Sequence, residues 1–122
     1  HRLRIVNLGS LYGHISSDFR IYGKSGRNNS EIYTISKAGV LALTKYLAVH
    51  YGSDSVSINS VSPGGIKRFQ SDDFVKNYSN KCPLGRLADV EEIAEVINYL
   101  SLLAPAYLNG EDILVDGGFS KW

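Results

Sequence analysis

The chain has 122 residues, a formal net charge of +1, and 43% hydrophobic against 20% charged residues. That is globular composition, which excludes disordered, collagen-like and low-complexity chains, and the near-neutral balance leaves no footprint for nucleic acid or membrane. No apolar run approaches the ~20 residues of a membrane helix. The single cysteine, Cys82, excludes an internal disulfide and points to a reducing, cytoplasmic compartment. The apolar run around His1-Arg2-Leu3-Arg4 is too short for a signal peptide. The chain contains no methionine, so it is read here as a piece of something longer.

In chain order, Leu3 to Leu8 predicts a short buried strand ending in a loop at Gly9, Ser10 and Gly13. His14 to Asn29 is polar and irregular, and reads as a long surface excursion. Ser30 or Asn29 caps a predicted helix from Glu31 to Tyr51, apolar on more than one side, with Gly52 placed as a C′ residue. Val56 to Ser62 alternates apolar and small polar residues and predicts a second strand, stopped by Pro63-Gly64-Gly65. The segment 66–87 carries scattered aromatics, with a short helix near Asp72 to Ser79. Asp89 and Glu92 have capping-box spacing at the head of a helix running through Leu103 and ended by Pro105. Asp112 to Asp116 predicts a third strand closed by Gly117-Gly118.

Strand, helix, strand, helix, strand predicts right-handed parallel crossovers in one α/β sheet. Three strands and two main helices make a thin core for a free-standing domain, because open parallel sheets normally carry more strands and have both faces covered.

Tyr33 and Lys37 lie four apart on a predicted helix, so both project from one face. An ammonium beside a phenol stabilises the phenolate, which lets such a pair move a proton near neutral pH. The pair alone is a weak signal. Ser10 adds to it, because it follows a strand, and ligands of open α/β sheets bind at the carboxyl ends of strands. The Pro63-Gly64-Gly65-Ile66 turn ends the next strand, with glycines suited to close approach of a flat ligand.

Together these residues resemble the short-chain dehydrogenase/reductases. Ile5 to Ser10 is similar to that family's fifth strand and catalytic serine, and Tyr33-Thr34-Ile35-Ser36-Lys37-Ala38 to its Tyr-x-x-x-Lys helix. Ile58 to Gly64 is similar to its sixth strand and Pro-Gly turn. Pro83 to Arg86, Glu91 to Ala94 and Val115 to Gly118 resemble its C-terminal signature. The resemblance implies the C-terminal half of a Rossmann-like, doubly wound parallel sheet, with residues 1–122 forming part of one dinucleotide-binding domain. It further implies an NAD- or NADP-dependent oxidoreductase interconverting a carbonyl and an alcohol. Tyr33 is then the general acid/base, Lys37 its partner and a ribose ligand, and Ser10 the group that orients the substrate oxygen. Pro63, Gly64 and the Ile66 backbone would line the nicotinamide pocket.

The departures from the family's pattern are also informative. Here 22 residues separate Ser10 from Tyr33, well beyond the family's usual spacing, and the extra length falls in Asp18 to Asn29. Arg68 stands where the family often has a phosphate-binding threonine. No Gly-x-x-x-Gly-x-Gly occurs. The insertion and the Pro-Gly-Gly-Ile run look similar to bacterial reductases of flagellin modification and surface-sugar biosynthesis. Alternatives are a 3-oxoacyl-carrier-protein reductase-like enzyme and a non-catalytic fragment that only self-associates. The resemblance implies a small-molecule substrate and a homodimer or homotetramer.

Asn59 and Asp116 read as structural, and Cys82 as a bystander. His1, His14 and His50 are scattered, so no metal site is expected. Phe69, Phe74 and Tyr78 are read as a substrate lid.

Overall fold

In the computed structural model, which describes residues 2–122, three short apolar segments form one parallel sheet. They are β1 (Leu3–Leu8), β2 (Val56–Pro63) and β3 (Asp112–Val115). The sheet order is β1-β2-β3, with Leu3 opposite Val56 and Leu8 opposite Val61, then Ser60 opposite Asp112 and Pro63 opposite Val115. The central strand is buried over almost its whole length. Each crossover carries a helix, as parallel pairing requires, and the fold is Rossmann-like. His1 lies outside the described residues.

Helix α1 (Glu31–Tyr51) has the predicted bounds. Ser30 Oγ accepts from the Tyr33 N–H at 3.4 Å, and Glu31 sits in the positive first turn. The helix buries Thr44 and Ala48. Thr44 Oγ1 accepts from Asn7 Nδ2 of β1 at 2.9 Å, a polar pin between helix and sheet. Its C-terminus corrects one expectation. Gly52 has φ −64° and ψ 140°, not the left-handed conformation of a C′ glycine. The physical requirement there is space: a Cβ would stand 2.2 Å from the Ala48 carbonyl oxygen and 2.4 Å from Asn109 Nδ2.

Helix α2 (Asp72–Lys81) begins at Ser71, whose Oγ accepts from the Phe74 N–H. Helix α3 (Val90–Asn98) begins at Asp89, whose N–H donates to the Glu92 carboxylate at 2.9 Å. Sequence predicts this helix unchanged to Leu103, but its last turn, Tyr99–Leu103, widens to π geometry, closed by Ala104 N–H to the Tyr99 carbonyl at 2.8 Å. Arg4 of β1 donates to the Leu100 and Ala104 carbonyls, satisfying groups that a helix end leaves open.

The interior divides into two apolar clusters. One packs Val61, Ile93, Leu100 and Ala104 between α3 and the sheet. The other joins Leu11, Ile21, Tyr78, Cys82, Leu87 and Phe119 at the carboxyl end of the strands. The second cluster corrects two readings. The 14–29 segment is more than a surface excursion: it holds one 3-10 turn, Phe19–Tyr22, and buries Ile21. Tyr78 is core and no lid residue: 3% exposed, it stacks on Phe119 at 4.6 Å and its hydroxyl accepts from the Gly65 N–H at 2.7 Å.

Among the described residues, no helix is long and apolar enough to cross a membrane.

Candidate active site

Ser10 leaves β1 and caps the 3-10 turn Leu11–Gly13. Its Oγ accepts from the Tyr12 N–H at 3.2 Å, and its hydroxyl hydrogen is left to donate elsewhere. The hydroxyl is therefore fixed in place by the turn it starts. Ser10 is 7% exposed. Tyr33, in the first turn of α1, is 40% exposed. Ser10, Tyr33, Pro63 and Gly64 share one cleft of about 250 Å³ at the carboxyl ends of β1 and β2.

Lys37 and Ile66 stand outside the lining of that cleft. Lys37 Nζ donates to the Leu8 carbonyl at 3.0 Å and lies 5.8 Å from the centre of the Tyr33 ring. One of its three protons is thus used for positioning and two remain for a ligand. Ile66 packs its side chain into the α3 cluster and bridges to Ala88. Its carbonyl accepts from Gln70 Nε2 at 2.7 Å, while its N–H has no acceptor among the described residues. A nicotinamide carboxamide and ribose fit this donor set, the free Ile66 N–H and the spare Lys37 protons, beside the half-buried Pro63-Gly64 turn.

The glycines of that turn have a reason that sequence reading missed. A Cβ on Gly64 would meet the Tyr78 hydroxyl at 2.7 Å, and one on Gly65 the Tyr78 ring at 2.8 Å. The turn is bare on this side because Tyr78 occupies the space beside both glycines.

Other cleft residues come from segments that the motif search left aside. Tyr12, Tyr22, Asn29 and Phe74 line the same cavity. Tyr22 and Asn29 belong to the insertion, whose irregular sequence carries no period that would single them out. Burial pushes the Tyr12 phenol up, reinforced by the neighbouring Tyr22 hydroxyl. Burial also raises Tyr22, and it pushes Tyr78 up to about 12. These three phenols stay protonated through the neutral range and act as hydrogen-bonding walls. Tyr33, the exposed phenol beside an ammonium, is the cleft's candidate for proton exchange.

The remaining polar residues brace the frame. Asn59 Nδ2 donates to the Leu108 carbonyl at 2.9 Å and its Oδ1 accepts from the Glu111 N–H at 3.0 Å, tying β2 to the loop before β3. Asp116 accepts from the Gly118 and Ser120 N–H groups at 2.9 Å each. Burial works against its charge, yet these bonds hold its carboxyl below the usual range. They stabilise a turn in which Gly117 and Gly118 both have positive φ, at 61° and 84°. Cys82 is buried with its Sγ 3.4 Å from the Gly117 carbonyl.

Comparison with known proteins agrees with this geometry. The family model described as Enoyl-(Acyl carrier protein) reductase matches residues 9–120. The chain is 37% identical over 120 residues to the 3-oxoacyl-[acyl-carrier-protein] reductase of Vibrio harveyi, covering 94% of this chain and 45% of that protein. A short-chain dehydrogenase of Leptospira borgpetersenii, solved with bound NAD+, superposes with a TM-score of 0.86 at 41% identity, covering 96% of this chain and 44% of that one. A gluconate 5-dehydrogenase of Burkholderia cenocepacia, solved with NADP and tartrate, shares the fold, with a TM-score of 0.79 at 21% identity over 99% of this chain and 46% of that one. A parallel sheet with serine, tyrosine and lysine at its carboxyl edge is an arrangement of Rossmann-like type. The chain belongs to the short-chain dehydrogenase/reductase family. It spans somewhat under half the length of the relatives it matches.

Proposed function

We propose that this chain is the C-terminal, catalytic part of an NAD- or NADP-dependent oxidoreductase that interconverts a carbonyl and an alcohol on a small molecule. The observation that carries the reading is Ser10 and Tyr33 facing one cleft at the carboxyl edge of the sheet, with Lys37 Nζ held behind Tyr33 by the Leu8 carbonyl. The remainder of the same dinucleotide-binding domain would precede these residues and supply the glycine-rich pyrophosphate turn that this sequence lacks.

The nicotinamide, when bound, supplies or accepts the hydride. Lys37 and the Ile66 N–H bind and orient it, and Pro63-Gly64 shape one wall of its pocket. In the direction of reduction, the Ser10 hydroxyl donates to the substrate oxygen and stabilises the charge that develops on it. Tyr33 Oη delivers its proton to that oxygen, and the Lys37 ammonium stabilises the phenolate left behind. Oxidation reverses each role. Tyr12, Tyr22 and Phe74 form the opposite wall of the cleft.

On substrate class, the long insertion supports a sugar or surface-polysaccharide precursor, as in the bacterial flagellin-modification branch; the lone free Cys82 supports a cytoplasmic enzyme. The Vibrio harveyi relative supports a 3-oxoacyl-carrier-protein reductase-like activity instead. A non-catalytic fragment is disfavoured because Ser10, Tyr33 and Lys37 are all present.

The test is Tyr33→Phe in the full-length protein. The change deletes the phenolic proton and little else, so turnover should fall by about a hundredfold or more, the usual scale of a lost general acid. Cofactor affinity should persist. Lys37→Ala should impair both. Undiminished turnover by Tyr33→Phe would refute the assignment.

A further inference from the structure

Next to the cleft lies a second cavity of about 540 Å³, lined by Tyr22, Ser25, Arg27, Phe69, Gln70 and Phe74 among others. The two cavities share Tyr22 and Phe74 as a common wall, whose rings sit 5.3 Å apart. The two spaces adjoin at these rings, so a substrate with its carbonyl at Ser10 and Tyr33 and a body long enough to cross them would reach the second.

The polar groups of this cavity differ in how far they are engaged. Ser25 Oγ donates to the Tyr22 carbonyl at 2.7 Å and accepts from the Arg27 N–H at 3.2 Å. Gln70 Oε1 accepts from the Arg68 N–H and its Nε2 donates to the Ile66 carbonyl, each at 2.7 Å. Ser71 Oγ is occupied by the α2 cap. The Arg27 guanidinium has no ion pair or hydrogen bond among the described residues. No carboxylate pairs with it: Asp18 is engaged by Arg20 and Lys81, and Asp72 and Asp73, in the first turn of α2, make no ion pair with it. Phe69 is fully exposed, a large apolar ring with no packing role in the fold.

An unpaired guanidinium and an unpacked aromatic ring on one cavity are complementary to a ligand with an apolar body and an anionic end. Guanidinium groups bind carboxylate and phosphate through two parallel hydrogen bonds, and aromatic walls that exclude water strengthen such pairs. We propose that this cavity is a distal subsite for the oxyanion end, carboxylate or phosphate, of an elongated carbonyl substrate, with Arg27 as its charge partner and Phe69 and Tyr22 covering its body. The inference rests on the reading of Ser10 and Tyr33 as the site of carbonyl chemistry.

The experiment uses the full-length protein, wild type and Arg27→Gln, with NADH and NADPH. The probes are levulinate and longer ω-carboxy methyl ketones, each with its methyl ester, and the matching ω-phosphate ketones. Wild type should prefer the anionic member of a pair by about tenfold or more in kcat/KM at one favoured length, the scale of a charge-assisted hydrogen bond. The preference should collapse towards unity in Arg27→Gln and partly return in Arg27→Lys. The phosphate and carboxylate arms identify which oxyanion is preferred. Equal turnover of acids and esters by wild type, or a preference that survives Arg27→Gln, overturns the subsite while leaving the oxidoreductase reading intact. Calorimetric titration of hexanoate, hexyl phosphate and hexanol provides the readout independent of turnover. If no ketone is reduced, the subsite stands on Arg27-dependent binding of either anion or falls without it.

Discussion

Single contacts decide much of this site. Tyr78 is the clearest case, because its ring fills the space beside Gly64 and Gly65 and its hydroxyl takes the Gly65 N–H. Gly65→Ala should force the turn and the ring apart, costing about 1–3 kcal/mol as core overpacking does. Tyr78→Phe should cost a similar ~1–3 kcal/mol by leaving the Gly65 N–H without its partner. Urea unfolding of both variants checks this, and wild-type midpoints would show that the packing is not under strain. Asp112 is a second such residue. Its Oδ1 accepts from Ser60 and Ser62, and its Oδ2 meets His14 Nε2 at 2.7 Å, at the far end of the turn that Ser10 begins. Asp112→Ala should leave two buried serine hydroxyls unpaired and lower stability by about 2–4 kcal/mol on the same principle.

At the scale of elements, the insertion and α2 behave as one unit. Asp18 Oδ2 receives Lys81 Nζ at 2.7 Å, while Arg20 grips both oxygens of the same carboxylate at 2.8 Å. Hydrogen bonds from Arg20, and then from Lys81, hold the Asp18 carboxyl well below the usual range. The Arg86 guanidinium likewise lowers Glu92, to about 2, at the head of α3. In the unfolded chain these groups titrate near 3.9 and 4.3, approximately. Their contribution is present above pH ~4 and is lost as the pH falls through the lower folded values, because the unfolded chain takes up the protons first. Unfolding midpoints measured from pH 6 down to 2 should therefore drop, with a shallower slope in Asp18→Asn and Glu92→Gln; an unchanged slope would count against these pairs. What sequence made legible here was local. The Ser30 cap, the α1 bounds, the α2 start and the Glu92 cap follow from neighbours within one turn. Ile21 burial, the Tyr78 stack on Phe119 and the approach of Asn109 to Gly52 depend on partners many residues away, and no periodicity carries that information. At the site, Ser10 and Tyr33 were legible because strand ends and helix spacing place them. Tyr22 and Arg27 were not, because an irregular insertion has no period to read.

Across the whole molecule, apolar surface remains open in two places. Leu3, Ile5 and Leu8 of β1 are exposed along an edge strand, and β3 presents the opposite edge. On α1, Ile32, Ile35, Leu43 and Tyr46 are exposed at helical three- and four-residue spacings, with Gly39 between them facing open space. Their spacing makes one stripe running along the helix that carries Tyr33 and Lys37. Thr44 and Ala48 already face the sheet, so the stripe points elsewhere, and an apolar stripe of this length marks an interaction surface. The bare Gly39 allows a second helix to approach closely at its midpoint. The expected occupant is the same stripe of a second copy, since a two-fold axis lets one surface cover itself. Sedimentation velocity of the full-length protein should then show a dimer or tetramer at micromolar concentration. Leu43→Glu should shift it to monomer, because each dimer would bury two facing charges without partners. It should also lower turnover without altering the chemistry at Ser10, since α1 positions Tyr33 and Lys37. A wild-type monomer, or a Leu43→Glu protein that sediments as wild type does, would place the interface elsewhere.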